Sequence, residues 1–349
     1  MDVSELRGRL LRGAMIPAHP LALTAARRLD ERRQRALSRY YAASGVDGLA
    51  VGVHTTQFAI RDPNVALHRP VLALAREEMD RADRDRAEPM LRIGGVCGRT
   101  DQAVREAEML RELGYHAGLV SLAALADADD AALAAHCRAV GDVVPVVGFY
   151  LQPSVGGRVL GVDFWRRFLE IPSVVAIKVA PFHRYRTLDV VRALAETGRD
   201  DVALMTGNDD HIVGDLVTPY RFGGREIRFV GGLLGHWSAW TSTACGLFRR
   251  CREVAVSGAP VPADLLAEGV AVTDANAAFF DAANGFRGCI AGMHEVLRRQ
   301  GLLEGIWCLD PDEGLSPGQA EEIDRVCRAV PWLADDAFVA QHRDRWLSG

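Results

Sequence analysis

The sequence predicts a (β/α)8 TIM barrel followed by a helical C-terminal region. Short apolar runs alternate with amphipathic helical patterns eight times between about residues 11 and 252. Strands that alternate with helices form a parallel sheet, and eight such units in roughly 250 residues fit this barrel. No Gly-x-Gly-x-x-Gly follows an early strand, which weakens the alternative of a dinucleotide-binding open sheet.

The predicted strands are the short apolar runs, several of them rich in β-branched residues. In chain order they cover 14–17, 48–53, 91–96, 117–122, 143–150, 174–182, 202–206 and 227–230. A helical pattern follows each run; one example begins at Thr100, a capping residue, and ends at Gly114. Beyond about Pro260 the strand pattern stops, and helices are predicted over 263–283, 286–302, 317–329 and 337–346. We therefore expect a barrel over 1–258 that carries the active site and a helical region over 259–349 packed on it.

Composition narrows the class of protein. The chain has 349 residues and a formal net charge of −5, which argues against nucleic acid or an anionic membrane as the main partner. No apolar run approaches the length of a membrane span, and the acidic start of the chain does not fit a secretory signal. Seven scattered cysteines, with no Cys-x-x-Cys pair, indicate reduced thiols. We expect a cytoplasmic protein.

Lys178 interrupts the most apolar of the predicted strands, Val-Val-Ala-Ile-Lys-Val-Ala, which Pro181 ends. It is the only lysine in the sequence; all other basic side chains of the Lys+Arg total are arginines. An arginine would stay protonated, whereas a buried lysine can lose its proton and attack a carbonyl. The alternative is a lysine whose amine reaches water from the strand end. The absence of other lysines favours the chemical role.

Active sites of such barrels lie at the carboxyl ends of the strands, which selects a short list of candidates. The second strand ends at Thr55 and Thr56, the fifth at Tyr150 and the sixth at Lys178. Gly207 and Gly232 lie at the predicted ends of the last two strands, and both are candidates for substrate binding. Together these residue types suit imine chemistry on a keto acid: an amine, two hydroxyls for a carboxylate, and a phenol that carries protons.

These motifs resemble the dihydrodipicolinate synthase and N-acetylneuraminate lyase family of pyruvate-dependent class I aldolases. The resemblance runs from about residue 13 to 240 and is carried by Gly52-Val53-His54-Thr55-Thr56, by Phe149 to Pro153, and by Val175-Ala176-Ile177-Lys178. It implies that Lys178 forms the Schiff base, that Tyr150 is catalytic, and that Thr55 and Thr56 hold the pyruvate carboxylate. It also implies a keto acid and an aldehyde as partners, no cofactor, and a homodimer or homotetramer.

The departures from the family pattern concern the second substrate. Gln57-Phe58 follows the threonines where the family usually has Gly-Glu. The fourth strand ends in Ser121-Leu122-Ala123-Ala124, whereas the synthases carry a Pro-Tyr-Tyr sequence there. Arg158 is the nearest candidate for the arginine that grips the second carboxylate. A true dihydrodipicolinate synthase is therefore not expected.

Two other classes of function stay open. One is a barrel that binds a metabolite without turning it over. The other, more distant, is a metal-dependent hydrolase, since four histidines and two aspartates lie near strand ends: His54, His183, His211, His236, Asp209 and Asp210. No His-x-His pair occurs, and the aspartates are typical of a helix start, so we expect no metal.

Overall fold

The computed structural model describes residues 1–348 and confirms the predicted barrel. The eight barrel strands, all in one sheet, are β1 (Met15–Pro17), β2 (Gly48–Val51), β3 (Leu91–Val96), β4 (Ala117–Val120), β5 (Val146–Leu151), β6 (Val174–Ala180), β7 (Ala203–Thr206) and β10 (Phe229–Leu234). Their order in the sheet is β1-β10-β7-β6-β5-β4-β3-β2. A parallel bridge between Ala18 and Ala50 joins the two ends of this order, so the barrel is nearly closed.

A small hairpin precedes the last barrel strand and was not predicted. It consists of β8 (Tyr220–Phe222) paired antiparallel with β9 (Arg225–Ile227). Gly223 and Gly224 form its turn with φ of 57° and 78°, the left-handed conformation that two-residue hairpin turns require. The predicted eighth strand over 227–230 therefore began too early. Ile227 belongs to the hairpin, and β10 runs four residues beyond Val230.

Thirteen α-helices are assigned among residues 1–348. Those that accompany the barrel are α1 (Val3–Leu11), α2 (Glu31–Ser44), α3 (His68–Asp83), α4 (Thr100–Glu112), α5 (Asp130–Gly141), α6 (Val162–Leu169), α7 (Arg184–Thr197), α8 (Ile212–Val217) and α9 (Thr241–Ser257). The C-terminal ones are α10 (Ala263–Phe279), α11 (Cys289–Arg299), α12 (Gln319–Ala329) and α13 (Asp336–Ser348). Helix α1 was not predicted; the Asp2 side chain caps it by accepting the N–H of Glu5.

Residue contacts divide the chain into two compact units. The first unit comprises residues 1–15, 92–233 and 249–266. It contains the parallel neighbours β3 to β7 together with β10, and it includes Lys178. The second unit comprises residues 16–91, 234–248 and 267–349, and it includes Thr55 and Thr56. The division into a barrel over 1–258 and a helical region over 259–349 stays a prediction.

A buried hydrogen-bond network ties the C-terminal helices of the second unit to α2 and to the start of α9. The Tyr40 hydroxyl donates to Asp335 Oδ2 at 2.8 Å and accepts the N–H of Thr241 at 2.7 Å. The same carboxylate accepts the N–H of Ser242 and the side-chain amide of Gln300. Burial raises the pKa of Asp335. Each carboxylate oxygen of Asp335 has a donor, so this network holds the helices of the second unit together.

No helix in residues 1–348 is both long enough and apolar enough to span a bilayer.

Candidate active site

Lys178 lies in the middle of the parallel sheet of the first unit. Its neighbours in register are Phe149 on β5 and Met205 on β7. The side chain is buried, with the residue 8% exposed, and Nζ lies 4.5 Å from the centroid of the Phe149 ring. An aromatic face and apolar neighbours therefore surround the amine, which disfavours its charged form relative to water.

The packing of β5 shows which face of the sheet Lys178 occupies. A Cβ placed on Gly148 would lie 2.7 Å from the Phe168 ring and 3.3 Å from the Trp165 ring, both on α6. Gly148 therefore faces the helices. Side chains alternate along a strand, so Phe149 and its neighbour Lys178 face the interior of the barrel. Lys178 thus occupies the inner face of the barrel.

Gly207, directly after β7, makes room for the lysine side chain. A Cβ at this position would lie 2.7 Å from Cε and 3.0 Å from Cγ of Lys178. Any larger residue would displace the lysine. The Gly207 N–H donates to the Val179 carbonyl at 2.8 Å, which keeps the chain close to β6. Gly207 was predicted to bind substrate; the contact that the structure gives it is with Lys178 itself.

Burial lowers the pKa of Lys178 to about 8, and the negative charge of Asp209 acts in the opposite direction. An amine with that pKa is neutral in about a tenth of molecules at pH 7, whereas an ordinary lysine is neutral in fewer than about one in a thousand. The side chain is therefore poised for nucleophilic attack near neutral pH.

A second buried carboxylate, Asp215 on α8, organises the chain that follows β7. Its Oδ1 accepts from Arg184 at 2.6 Å and from the Tyr220 hydroxyl at 2.9 Å. Its Oδ2 accepts from the Thr206 hydroxyl at 2.7 Å and from the Asn208 amide at 2.9 Å. The two bonds to Oδ2 hold Thr206 and Asn208 on either side of Gly207.

Sequence reasoning did not find the Asp215 cluster, because its members come from four separate segments with no characteristic spacing. The only signal was an aspartate within an otherwise apolar stretch, Ile212 to Val217.

Tyr150 makes no hydrogen bond with Lys178 within residues 1–348, and its catalytic role stays a prediction. It follows Phe149 on β5 and pairs in register with Val179, so its side chain lies on the helix-facing side of the sheet. Its ring packs against Trp165 with centroids 5.4 Å apart, and its hydroxyl accepts the N–H of Leu160 at 3.2 Å. The register shift on β5 lies earlier, between Val146 and Val147, and does not change this alternation.

Arg158 and Gly232 both donate hydrogen bonds to backbone carbonyls of the protein. The Arg158 guanidinium donates to the carbonyls of Leu125 and, at 3.0 Å, Ala128, so it ties its own loop to the segment after β4. Gly232 lies within β10 rather than at its end, and its N–H donates to the Ala14 carbonyl at 3.0 Å. These bonds give both residues partners within the protein, and their binding of substrate stays a prediction.

The two threonines lie in a 3-10 turn, His54–Thr56, in the second unit. The Thr56 hydroxyl donates to the His19 carbonyl at 2.7 Å and accepts the N–H groups of Gly52 and Val53 at 2.9 and 3.2 Å. Its single proton is therefore used within the protein, and the binding of the pyruvate carboxylate by the two threonines stays a prediction. The Thr55 hydroxyl makes no hydrogen bond within residues 1–348.

Among residues 1–348, no group of three or more His, Cys, Asp or Glu side chains is arranged to hold a metal ion. His183 caps α7 by accepting the N–H of Arg186, and His236 Nδ1 lies 2.6 Å from Asn276 Oδ1. These two candidate ligands thus have other partners.

Solved structures that are similar in fold include members of the family that the motifs resemble. One is dihydrodipicolinate synthase from Cyanidioschyzon merolae with lysine bound, at 19% identity and a TM-score of 0.72. The match covers 92% of this chain and 99% of that chain. N-acetylneuraminate lyase from Fusobacterium nucleatum matches at 15% identity, with 91% and 99% coverage and a TM-score of 0.70. YagE, an E. coli K12 prophage protein of the dihydrodipicolinic acid synthase family in complex with pyruvate, matches at 16% identity, 92% and 98% coverage and a TM-score of 0.71.

No family model and no curated protein matches the sequence. The likeness at these identities establishes the fold.

Proposed function

We propose that this protein is a class I lyase or aldolase that forms a Schiff base between Lys178 and pyruvate or a related 2-keto acid. The observation that carries the proposal is a single buried lysine on the inner face of the barrel, with its pKa lowered to about 8. The fold shared with dihydrodipicolinate synthase and N-acetylneuraminate lyase supports the same reaction class.

In this proposal the neutral amine of Lys178 attacks the keto carbon and forms a carbinolamine. Loss of water produces an iminium ion, which draws electrons from the adjacent bond. Loss of a proton from the neighbouring carbon gives an enamine that adds to an aldehyde; the reverse sequence cleaves a carbon–carbon bond. Hydrolysis of the iminium ion then releases the product and restores the amine.

These steps require a group that exchanges protons near Lys178. Tyr150 faces the helices, whereas Asp209 is close enough for its charge to raise the lysine's pKa. We assign the proton transfers to the Asp209 carboxylate. The Arg158 guanidinium donates to backbone carbonyls, so we assign no arginine to the binding of a second substrate. The proposal therefore does not include a true dihydrodipicolinate synthase.

A second candidate is a barrel that binds a keto acid without turning it over. The position of Tyr150 favours it, because the proton carrier that the family resemblance implied is turned away from the lysine. Such a protein would still form the imine but would release no product of carbon–carbon bond formation or cleavage.

Reductive trapping tests the proposal. With pyruvate and cyanoborohydride, the intact mass should rise by one adduct, and peptide mapping should place it on Lys178. Lys178→Arg should abolish both adduct and turnover, because a guanidinium stays protonated. Lys178→Ala serves as the matched second variant.

A screen of keto-acid and aldehyde pairs then separates the enzyme from the binding barrel. Turnover by Lys178→Arg would contradict the Schiff-base mechanism, and adduct formation without turnover of any pair would favour the binding barrel.

A further inference from the structure

Asn208 joins the two segments that follow β6 and β7, and it is completely buried. Its Oδ1 accepts the N–H of Phe182, just after β6, at 3.2 Å. Its Nδ2 donates to Asp215 Oδ2 at 2.9 Å and to Thr187 Oγ1, on α7, at 3.3 Å. Its own N–H donates to the Thr206 hydroxyl at 3.2 Å. Both ends of the side-chain amide therefore have partners, and a buried polar network that is satisfied in this way is rigid.

Phe182 has a backbone conformation that depends on such contacts. Its φ is 47°, in the left-handed region that a residue with a large side chain rarely adopts. A residue keeps this conformation only where the surrounding structure holds it. The bond from the Phe182 N–H to Asn208 Oδ1 is one of the contacts that hold it. Loss of the Asn208 side chain should therefore loosen the segment after β6 as well as the one after β7.

An ion pair keeps the acceptor of the Asn208 amide in place. Asp215 is completely buried, and its Oδ1 accepts from the Arg184 guanidinium at 2.6 Å. Arg184 also donates to Thr187 Oγ1 at 3.3 Å, the hydroxyl that Asn208 contacts as well. Removing Arg184 would leave a buried charge without compensation, so the pair favours one position of Asp215. We call Thr206, Asn208 and Asp215 the loop clamp.

Asp209 directly follows the central residue of the loop clamp. The Gly207 N–H donates to the Val179 carbonyl at 2.8 Å, next to Lys178 in the chain. The Asp209 N–H donates in turn to the Gly207 carbonyl at 3.1 Å. Asp209 is 8% exposed, so its carboxylate has little freedom to move into water. Its position is set by backbone that Asn208 and Gly207 hold against β6.

Asp209 supplies the charge that acts on Lys178. Burial lowers the pKa of Lys178, and the Asp209 charge raises it. The neighbours of Lys178 in register, Phe149 on β5 and Met205 on β7, carry no charge. Three further charged side chains of these segments interact with one another: Arg184, Asp210 and Asp215.

We propose that the loop clamp positions the Asp209 carboxylate beside Lys178, which makes Asn208 and Asp215 positioning residues for the reaction of the lysine. The clamp holds the residue before Asp209 and ties it to the segment that follows the lysine strand. Its catalytic consequence rests on the proposed function, in which Asp209 carries protons. Its effect on the charge of the lysine can be measured without a substrate.

Two variants release Asp209 without changing any charge. Asn208→Ala removes the three side-chain hydrogen bonds of the clamp's central residue. Thr206→Val removes the hydroxyl that donates to Asp215 and accepts the Asn208 N–H. Tyr220→Phe is the matched control, because it removes one hydrogen bond to Asp215 Oδ1 and leaves both bonds to Oδ2 in place.

The first measurement is the pH midpoint of Lys178 labelling by acetic anhydride, which reacts with neutral amines. Peptide mapping separates this lysine from the chain's amino terminus. Both variants should move the midpoint to lower pH, as Asp209→Asn does, because a displaced carboxylate raises the pKa of the lysine less. A midpoint lower by about one pH unit corresponds to about fivefold faster labelling at pH 7. Tyr220→Phe should keep the wild-type midpoint.

A double variant tests whether the clamp acts through Asp209. Asn208→Ala should cause no further change of the midpoint when it is added to Asp209→Asn, because the group that it positions is already neutral. A further change would show that the clamp acts on Lys178 by another route and would overturn the proposal.

The second measurement is the exchange of pyruvate methyl protons in heavy water, which requires both the iminium ion and a group that takes the proton. Asn208→Ala and Thr206→Val should slow this exchange at least about tenfold, since they displace the proton carrier. Tyr220→Phe should stay within about twofold of wild type. Faster labelling with slower exchange is a combination that a merely loosened fold does not produce, because entry of water raises the pKa of a buried lysine.

The remaining outcomes separate the clamp from the proposed function. A midpoint that stays unchanged in both clamp variants, or moves to higher pH, would overturn the clamp and leave the lysine chemistry intact. A wild-type protein that forms no adduct with pyruvate would overturn the proposed function. The labelling midpoints would then still decide whether the clamp positions Asp209.

Discussion

Asp209 and Lys178 show how one residue sets the reactivity of another. Burial lowers the pKa of the lysine to about 8, and the Asp209 charge keeps that pKa from falling further. Only the neutral amine attacks a carbonyl, so trapping at Lys178 should increase as pH rises through this value. Below it, the protonated amine is inert.

Asp209→Asn removes a negative charge that raises the pKa of Lys178, so that pKa should fall. The midpoint of the trapping rate against pH should therefore move to lower pH, measured with pyruvate and cyanoborohydride. Asp209 is also the proposed proton carrier, so turnover should decrease by roughly a hundredfold or more.

Asp210→Asn is the matched control for this change, because it removes a neighbouring carboxylate while the charge that raises the pKa of Lys178 is that of Asp209. The control should keep the wild-type midpoint. A midpoint that moves to higher pH in Asp209→Asn would contradict the assigned electrostatics.

Strand β5 shows how a single element decides which of two neighbouring aromatic residues reaches the site. Phe149 faces Lys178, and Tyr150 faces Trp165 on α6. The alternation of side chains along a strand has a period of two residues, so two neighbours cannot share a face without a bulge between them. The aromatic surface beside the lysine is therefore that of Phe149, which carries no proton for catalysis.

Tyr150→Phe should consequently leave the trapping rate and turnover within about threefold of wild type, since a general acid–base group would cost about a hundredfold or more. The variant loses the acceptor for the Leu160 N–H, so the free energy of unfolding should fall by about 1 kcal/mol. Steady-state kinetics and urea unfolding measure the two effects. A hundredfold loss of turnover in a fully folded variant would restore Tyr150 as the proton carrier.

At the scale of the whole molecule, the family resemblance predicts a homodimer or homotetramer. Helix α10 offers an apolar outer surface, with Leu266 47% and Val270 70% exposed. Large apolar side chains grouped on one surface are typical of contacts between proteins. Sedimentation velocity at micromolar concentration should therefore show a species heavier than the 38.0 kDa chain.

Val270→Glu should shift this species toward the monomer, because it places a charge on the exposed face of α10. A single monomeric species for the wild-type protein would contradict the prediction. The exposed Val159, in the loop after β5, offers a control for a general effect of added charge, since Val159→Glu adds the same charge outside that helix.

The sequence alone was sufficient to predict the barrel and to single out Lys178. Both depend on local patterns: apolar runs at regular intervals identify the strands, and the only lysine of the chain stands in the most apolar of them. The hairpin of β8 and β9 was missed, because three-residue strands around Gly223 and Gly224 are too short to show alternation.

Only the tertiary structure decided which candidate side chains can act. The alignment of a motif identifies Tyr150, but the face of β5 that it occupies depends on register with β6. The Thr56 hydroxyl donates its proton to a carbonyl thirty-seven residues away, and the Arg158 guanidinium donates to a carbonyl of a neighbouring loop. Asn208 joins the segments after β6 and β7 only because Phe182, twenty-six residues earlier, donates to one end of its amide. A hydrogen-bond donor has a limited number of protons, and their use is determined by partners that are distant in sequence.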